Sequence, residues 1–149
     1  MKNLFATQDL NELLARFELL NLDSPRQWGT MTVSQMLAHC IKPLEVALGK
    51  AELPQSWFGK LFGGIIKRML LGEKPFQQNA PTSPSFIIKD NPNFDKEKQY
   101  LVTLIKEFAQ NNGENIRKTP HPFFGKMTQE EWNTLTYKHL DHHLRQFGC

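Results

Sequence analysis

The sequence predicts an all-α fold in a single domain over residues 1–149. Apolar residues recur at helical spacing in four separate segments, and two of these segments open with a capping pattern. Strand patterns are nearly absent, and the stretch SFIIK at residues 85–89 is the only candidate. A chain of this length can bury a core without disulfide staples. We therefore expect a four-helix bundle with a long connection between its second and third helices.

The first two helices are predicted from periodicity and from their end signals. The first runs from about Thr7 to Leu20, where leucines and a phenylalanine repeat at the i, i+3, i+4, i+7 spacing of a one-faced helix. The second opens at Thr32, whose spacing to Gln35 is that of a capping box. It ends near Leu48, because the glycine that follows is a typical stop signal.

A proline interrupts the hydrogen-bonding pattern of the second predicted helix. Pro43 has no N–H to donate to the carbonyl of His39, four residues earlier. We therefore expect a kink or a loosened turn beside this histidine.

The last two helices of the bundle have similarly clear ends. The third begins near Phe94 or Asp95 and ends near Asn111, where two asparagines and a glycine follow one another. The fourth opens at Thr128, which forms a second capping-box pattern with Glu131.

The long connection, about residues 50–93, holds five prolines and is too long for a structureless loop in a compact domain. We expect a short amphipathic helix near Ser56 to Leu71, followed by an ordered excursion over the surface. Its large apolar side chains could form a lid or a dimer interface, which would make the chain a non-catalytic interaction or dimerisation module and a homodimer. These side chains are Trp57, Phe58, Leu61, Phe62, Ile65, Ile66 and Met69.

Composition excludes several classes of protein. The net charge is +3 and the basic residues are scattered, so we expect no nucleic-acid partner. No apolar stretch reaches the roughly 18 residues of a membrane span, and the N-terminus lacks a signal peptide's apolar run. The two cysteines, Cys40 and Cys149, suit a reducing compartment. We therefore expect a cytoplasmic protein without a membrane partner.

A pair of histidines near the C-terminus points to a metal site. His139 and His143 are four residues apart and lie near the middle of the apolar arc of the last predicted helix. Metalloproteases use this spacing for helical zinc ligands, but here Leu140 stands where their catalytic glutamate would be. His142 lies on the shoulder of the same arc and competes with His143 as the partner of His139.

The third ligand is ambiguous from spacing alone. His39 lies off the centre of the apolar arc of the second helix. Cys40 is nearer the core face and as a thiolate could bind zinc, although a small buried cysteine is the commoner role. His121 lies in a loop between two prolines, where it is either a loop residue beside two aromatic anchors or a catalytic group.

The segments MLAHC and HLDHHLRQ together resemble the DinB/YfiT-like metalloenzyme superfamily. The longer segments WGTMTVSQMLAH and HPFFGKMTQEEWNTLTYKHLDHHLRQFG resemble an uncharacterised branch of it, a domain of unknown function. The resemblance implies a four-helix bundle in up-down-down-up order. It also implies a site for zinc, nickel or another divalent ion at His39, His139 and His143, and so favours His143 over His142.

The resemblance further implies metal-dependent chemistry on a small-molecule substrate. Relatives in that superfamily include thiol-dependent transferases and isomerases, and hydrolysis is a second reaction open to such a metal. No general base is evident from spacing. Asp141 points away from the predicted ligands, and Glu131 only flanks the site. The resemblance therefore implies a metal-dependent transferase or hydrolase of unknown substrate.

Overall fold

The computed structural model describes residues 2–54 and 57–149, apart from the side chains at positions 58 and 60. Within these residues the chain forms five α-helices and two short 3-10 helices, and no strand. The predicted all-α class is therefore confirmed. The helices are α1 (Thr7–Glu18), α2 (Val33–Ala47), α3 (Trp57–Leu71), α4 (Phe94–Ala109) and α5 (Gln129–Gln146).

Both predicted capping boxes are formed. The Thr32 hydroxyl accepts a hydrogen bond from the Gln35 backbone N–H at 3.2 Å, and the Gln35 side chain accepts one from the Thr32 N–H at 3.0 Å. Thr128 and Glu131 make the same reciprocal pair at the start of α5. These bonds satisfy backbone donors that have no partner within the helix, and so they set where α2 and α5 begin.

Helix ends differ from prediction by one or two residues. The first helix ends at Glu18 instead of Leu20. The third predicted helix ends at Ala109, because Asn111 and Asn112 adopt left-handed backbone conformations with φ of 48° and 56°. Asparagine tolerates this region better than most residues, so the pair turns the chain out of the helix.

The candidate strand at residues 85–89 does not form. Pro84–Phe86 forms a 3-10 turn that packs against α2. Proline fixes φ near the helical value and removes a backbone donor, which suits the first position of such a turn. The predicted helix before it is present as α3, and its predicted start at Ser56 lies outside the described residues.

The core is built by four of the helices. The α2 helix packs against α4 and α5, and α1 packs against the same two helices. The most deeply buried large side chains come from these four helices and the N-terminal Leu4, and none of the described ones comes from α3, which packs on α5. They are Leu4, Leu13, Phe17, Met36, Leu37, Leu44, Leu101, Leu104, Ile105, Phe108, Leu140 and Leu144.

The long connection folds back over the junction of α2 and α5. Its Phe86 carbonyl lies 2.9 Å from Nδ1 of His39, and its Asp90 carbonyl accepts from the Gln35 side chain at 3.2 Å. Both contacts fasten the segment to α2. Among the described residues, no helix combines the length and apolar character that crossing a membrane requires.

Candidate metal centre

Three of the five histidines meet where α2 faces α5. His39 comes from α2, and His139 and His143 come from successive turns of α5. One ring nitrogen from each lies within 4.8 Å of the other two. The ring centroids are 4.7–5.0 Å apart. His39 and His143 are buried and His139 is half-buried.

The orientation of His39 is set by a backbone carbonyl. Its Nδ1 lies 2.9 Å from the carbonyl oxygen of Phe86, which can only accept, so Nδ1 carries the hydrogen. The Nε2 atom of His39 therefore carries a lone pair and no hydrogen. It lies 3.1 Å from Nε2 of His139.

The orientation of His143 is set by an amide relay. Its Nδ1 lies 2.8 Å from Oε1 of Gln146, and the Gln146 Nε2 donates to the Trp28 carbonyl at 2.9 Å. The second bond fixes which end of the amide faces His143, because a carbonyl needs a donor. The Nδ1 atom of His143 therefore carries the hydrogen, and its Nε2 keeps a free lone pair.

His139 is the adaptable member of the cluster. As the rings stand, its Nε2 hydrogen is donated to the lone pair of His39. No neighbour among the described residues fixes its Nδ1, so the hydrogen can move there without breaking another bond. All three Nε2 atoms then carry a lone pair.

Burial keeps the cluster neutral. It lowers the pKa of His39, and it lowers the pKa of His143 to about 3. Burial, with repulsion from the other imidazoles, lowers the pKa of His139 well below its ordinary value. Neutral imidazole is the form that binds metal, and the three rings hold this form at neutral pH.

The rival ligands considered from sequence are not part of the group of three ring nitrogens. His142 is half-buried, with its ring centroid 5.0 Å from that of His143 and 5.5 and 6.0 Å from those of Trp28 and Phe76. Cys40 is fully buried beside the sulfur of Met36, at 3.7 Å. Burial raises the pKa of the Cys40 thiol far above neutrality, so it is not a thiolate.

His121 has a role within its own loop. Its Nδ1 accepts backbone hydrogen bonds from Phe123 at 3.0 Å and Phe124 at 3.1 Å. The ring packs 5.3 Å from the ring of Trp132. Burial, with the positive charge of Arg117, lowers its pKa to about 4. The structure thus places His121 as the loop residue beside aromatic anchors, apart from the histidine cluster.

The two carboxylates near the cluster in sequence are engaged in other contacts. Asp141 forms ion pairs with Arg16 and Arg145, both at 2.8 Å. Glu131 caps the start of α5 and pairs with Lys67 at 2.8 Å. Neither is placed as a general base, as the sequence predicted for Asp141.

Two groups that orient the cluster were not predicted from the sequence. Gln146 lies three residues after His143, on the same face of α5, and this spacing could have suggested the contact. The Phe86 carbonyl is a backbone group more than forty residues away in the chain, and no residue type signals it.

The fold and the cluster together define an all-α protein with three convergent neutral imidazoles. A family model described as "Protein of unknown function (DUF1569)" matches residues 2–148, so the chain belongs to the DUF1569 family. Comparison with curated proteins and with solved structures finds no match.

Proposed function

We propose that this protein binds one divalent metal through His39, His139 and His143 and is a metal-dependent enzyme acting on a small molecule. We further propose that its four core helices form a DinB-like bundle. The supporting observation is the oriented cluster, in which one ring nitrogen of each histidine lies within 4.8 Å of the other two and acceptors at Nδ1 leave the Nε2 atoms of His39 and His143 without a hydrogen.

The donor set fits a metal of intermediate softness. Three neutral imidazoles suit zinc and nickel, and a trio of histidines is a known catalytic zinc ligand set. Metal-binding histidines almost always donate their second N–H to a carbonyl or carboxylate. Phe86 and Gln146 provide such acceptors for two of the three rings.

A metal with only three protein ligands supplies an open position, where it can lower the pKa of water, polarise a carbonyl or bind a thiolate. The chain's own contribution is to hold the rings. The Phe86 carbonyl and Gln146 hold the hydrogens of His39 and His143 at Nδ1, which leaves their Nε2 atoms available to a metal, and His139 completes the set. Thiol transfer, isomerisation and hydrolysis are all compatible with this arrangement.

Metal content of purified protein tests the proposal. We expect one equivalent of zinc or nickel per chain after loading, measured by mass spectrometry of the elements. Replacing either His39 or His143 by alanine should lower metal affinity at least about 100-fold, because an open-sided three-ligand site loses a third of its donors. His121→Asn, at a histidine in a separate loop, is the matched control and should bind as the wild type does.

The proposal fails if the wild-type protein takes up no stoichiometric metal under any loading condition. If metal does bind, substitution by cobalt distinguishes a catalytic site from a structural one. A visible spectrum that shifts on adding a small thiol shows an open coordination position. A spectrum that does not respond to added ligands contradicts the proposal that the protein is an enzyme.

An alternative function as a non-catalytic dimerisation module has its own support. Five of the apolar side chains predicted to form an interface or lid are exposed on α3: Trp57, Leu61, Phe62, Ile65 and Met69. This feature is compatible with the metal site and is developed below.

A further inference from the structure

In α3, two glycines face the rest of the protein and a row of large apolar residues faces solvent. A Cβ atom at Gly59 would lie 2.8 Å from the Phe123 ring, and one at Gly63 would overlap the Phe123 carbonyl oxygen. These two glycines, one turn apart, let the helix backbone rest directly on the loop that follows α4.

Polar contacts hold α3 in this orientation. On the same face as the glycines, Lys67 pairs with Glu131 at 2.8 Å and donates to the Lys126 carbonyl at 2.9 Å. At the C-terminal end, the buried Lys138 of α5 donates to the carbonyls of Leu70 and Gly72, at 2.5 and 2.6 Å. Backbone and charged groups thus help to fix the helix to α5 and to the loop before it.

The opposite side of α3 carries an apolar row, which we call the α3 ridge. It consists of Trp57, Leu61, Ile65 and Met69, each four residues from the next, and each is 65–73% exposed. Phe62, beside the ridge, is 43% exposed. Together these side chains present on the order of 600 Å², at the upper end of apolar patches on monomers.

The geometry of the ridge suits a second helix better than it suits lipid. Rows of side chains spaced by four residues are the ridges that interlock in the commonest class of helix–helix packing. The patch also approaches the ~800 Å² that each partner buries in a standard protein interface. Lys67 faces the protein and is already paired, which leaves Arg68 as the exposed cation among the described side chains of α3 and weakens the attraction to an anionic membrane.

A second copy of this chain carries the same apolar row and is therefore a suitable partner for it. In a two-fold symmetric contact the same patch serves both partners, so one α3 ridge can pack into the groove beside the other. The helix sequence WFGKLFGGIIKRMLL contains no acidic residue that would be buried unpaired. The polar anchors on the other face keep the ridge in place before association, which lowers the entropy lost on binding.

We propose that the α3 ridge is the interface of a homodimer in which the two α3 helices pack against each other. This interface is independent of the histidine cluster and stands whether or not a metal binds there. It assigns the connection between α2 and α4 a role in assembly.

Sedimentation velocity of the full chain across micromolar concentrations tests this interface. We expect a wild-type dimer. The double variant Leu61→Glu, Ile65→Glu should be monomeric, with a dissociation constant raised at least roughly 100-fold, because two carboxylates would be buried at the centre of the contact. Leu22→Glu is the matched control, since Leu22 is 66% exposed outside α3, and should stay dimeric.

A second measurement covers the case in which the double variant is unstable. In a Cys149→Ser background, Ile65→Cys should be joined across the dimer by a short bismaleimide, whereas Leu22→Cys should not. A monomeric wild type overturns the proposal, as does a double variant that remains dimeric or a control that dissociates. Binding of a monomeric wild type to anionic vesicles would assign the ridge to a membrane and equally overturns it.

Discussion

The tautomers of two imidazoles give the histidine cluster its chemical character. His39 and His143 each donate their Nδ1 hydrogen to an acceptor, one to a carbonyl of the long connection and one to a side chain of α5. Orienting partners of this kind are conserved features of metal sites in general, because they hold the ring and raise its basicity. Among the described residues, Gln146 is the one such partner that acts through its side chain, so it can be tested by substitution.

Replacing Gln146 by leucine should weaken metal binding by about 10- to 100-fold. The leucine keeps the volume but leaves the His143 Nδ1 hydrogen without an acceptor, so the ring is free to turn. Isothermal titration with zinc measures the loss. Gln99→Leu, on an exposed face of α4, is the control and should bind as the wild type does. Equal affinities for the two variants would show that Gln146 does not position the ring.

His121 makes stability depend on pH. Its folded pKa of about 4 lies below the ordinary value of about 6.5, so the unfolded chain takes up the proton first as pH falls. The stabilisation is present above about pH 6.5, declines as pH falls toward 4 and is absent below that. Protonation also costs the two hydrogen bonds that Nδ1 accepts from the backbone.

The His121→Asn variant isolates this effect, because its side-chain oxygen can accept the same two bonds and does not titrate. The free energy of unfolding of the wild type, relative to the variant, should fall by about 2–3 kcal/mol between pH 7 and pH 4. Urea unfolding at several pH values measures it. A difference that stays constant with pH would contradict the assignment.

At the scale of elements, α3 shows how neighbouring glycines can have opposite roles. Gly63 lies against the Phe123 carbonyl, whereas a Cβ at Gly64 would meet nothing within 4 Å. The first glycine is required by close approach of two backbones, and the second only lowers helix propensity.

Alanine at these two positions should therefore change stability in opposite directions. Gly64→Ala should raise the free energy of unfolding by about 0.5–1 kcal/mol through helix propensity. Gly63→Ala should lower it by about 1–3 kcal/mol, because the methyl group forces α3 away from the loop. Chemical denaturation compares the two. Similar changes for both variants would mean that α3 does not rest on the Phe123 backbone.

At the scale of the whole molecule, the long connection is an ordered part of the fold. Lys138, buried in α5, donates to the carbonyls of Leu70, Gly72 and Lys74 at 2.5–2.7 Å. Together with the contacts of Phe86 and Asp90 on α2, it ties the segment down at separate points along its length.

Removing the Lys138 ammonium should loosen this connection. Lys138→Met keeps the apolar stem but leaves the carbonyls without their charged donor, which should lower the free energy of unfolding by about 2 kcal/mol. Limited proteolysis should cut within residues 72–90 faster than in the wild type. Lys106→Met, on an exposed position of α4, should change neither quantity. Unaltered cleavage in Lys138→Met would show that the connection is held elsewhere.

Much of the fold was predictable because its signals are local. The capping boxes at Thr32 and Thr128 and the glycine after Leu48 act within a few residues, so spacing alone located these helix ends. The 3-10 turn at Pro84–Phe86 was not predicted, because a short apolar run does not by itself distinguish a strand from a turn.

The sequence by itself determined the helical class, most helix ends and the stacking of His139 and His143 on one face of α5, because these follow from periodicity within about four residues. Only the tertiary structure decided that a ring nitrogen of His39 joins those of that pair in one cluster, and that Cys40 and His142 are not part of it. The meeting depends on how α2 packs against α5 and on where the Phe86 carbonyl falls. Both are set by contacts between residues far apart in the chain, which no local spacing encodes.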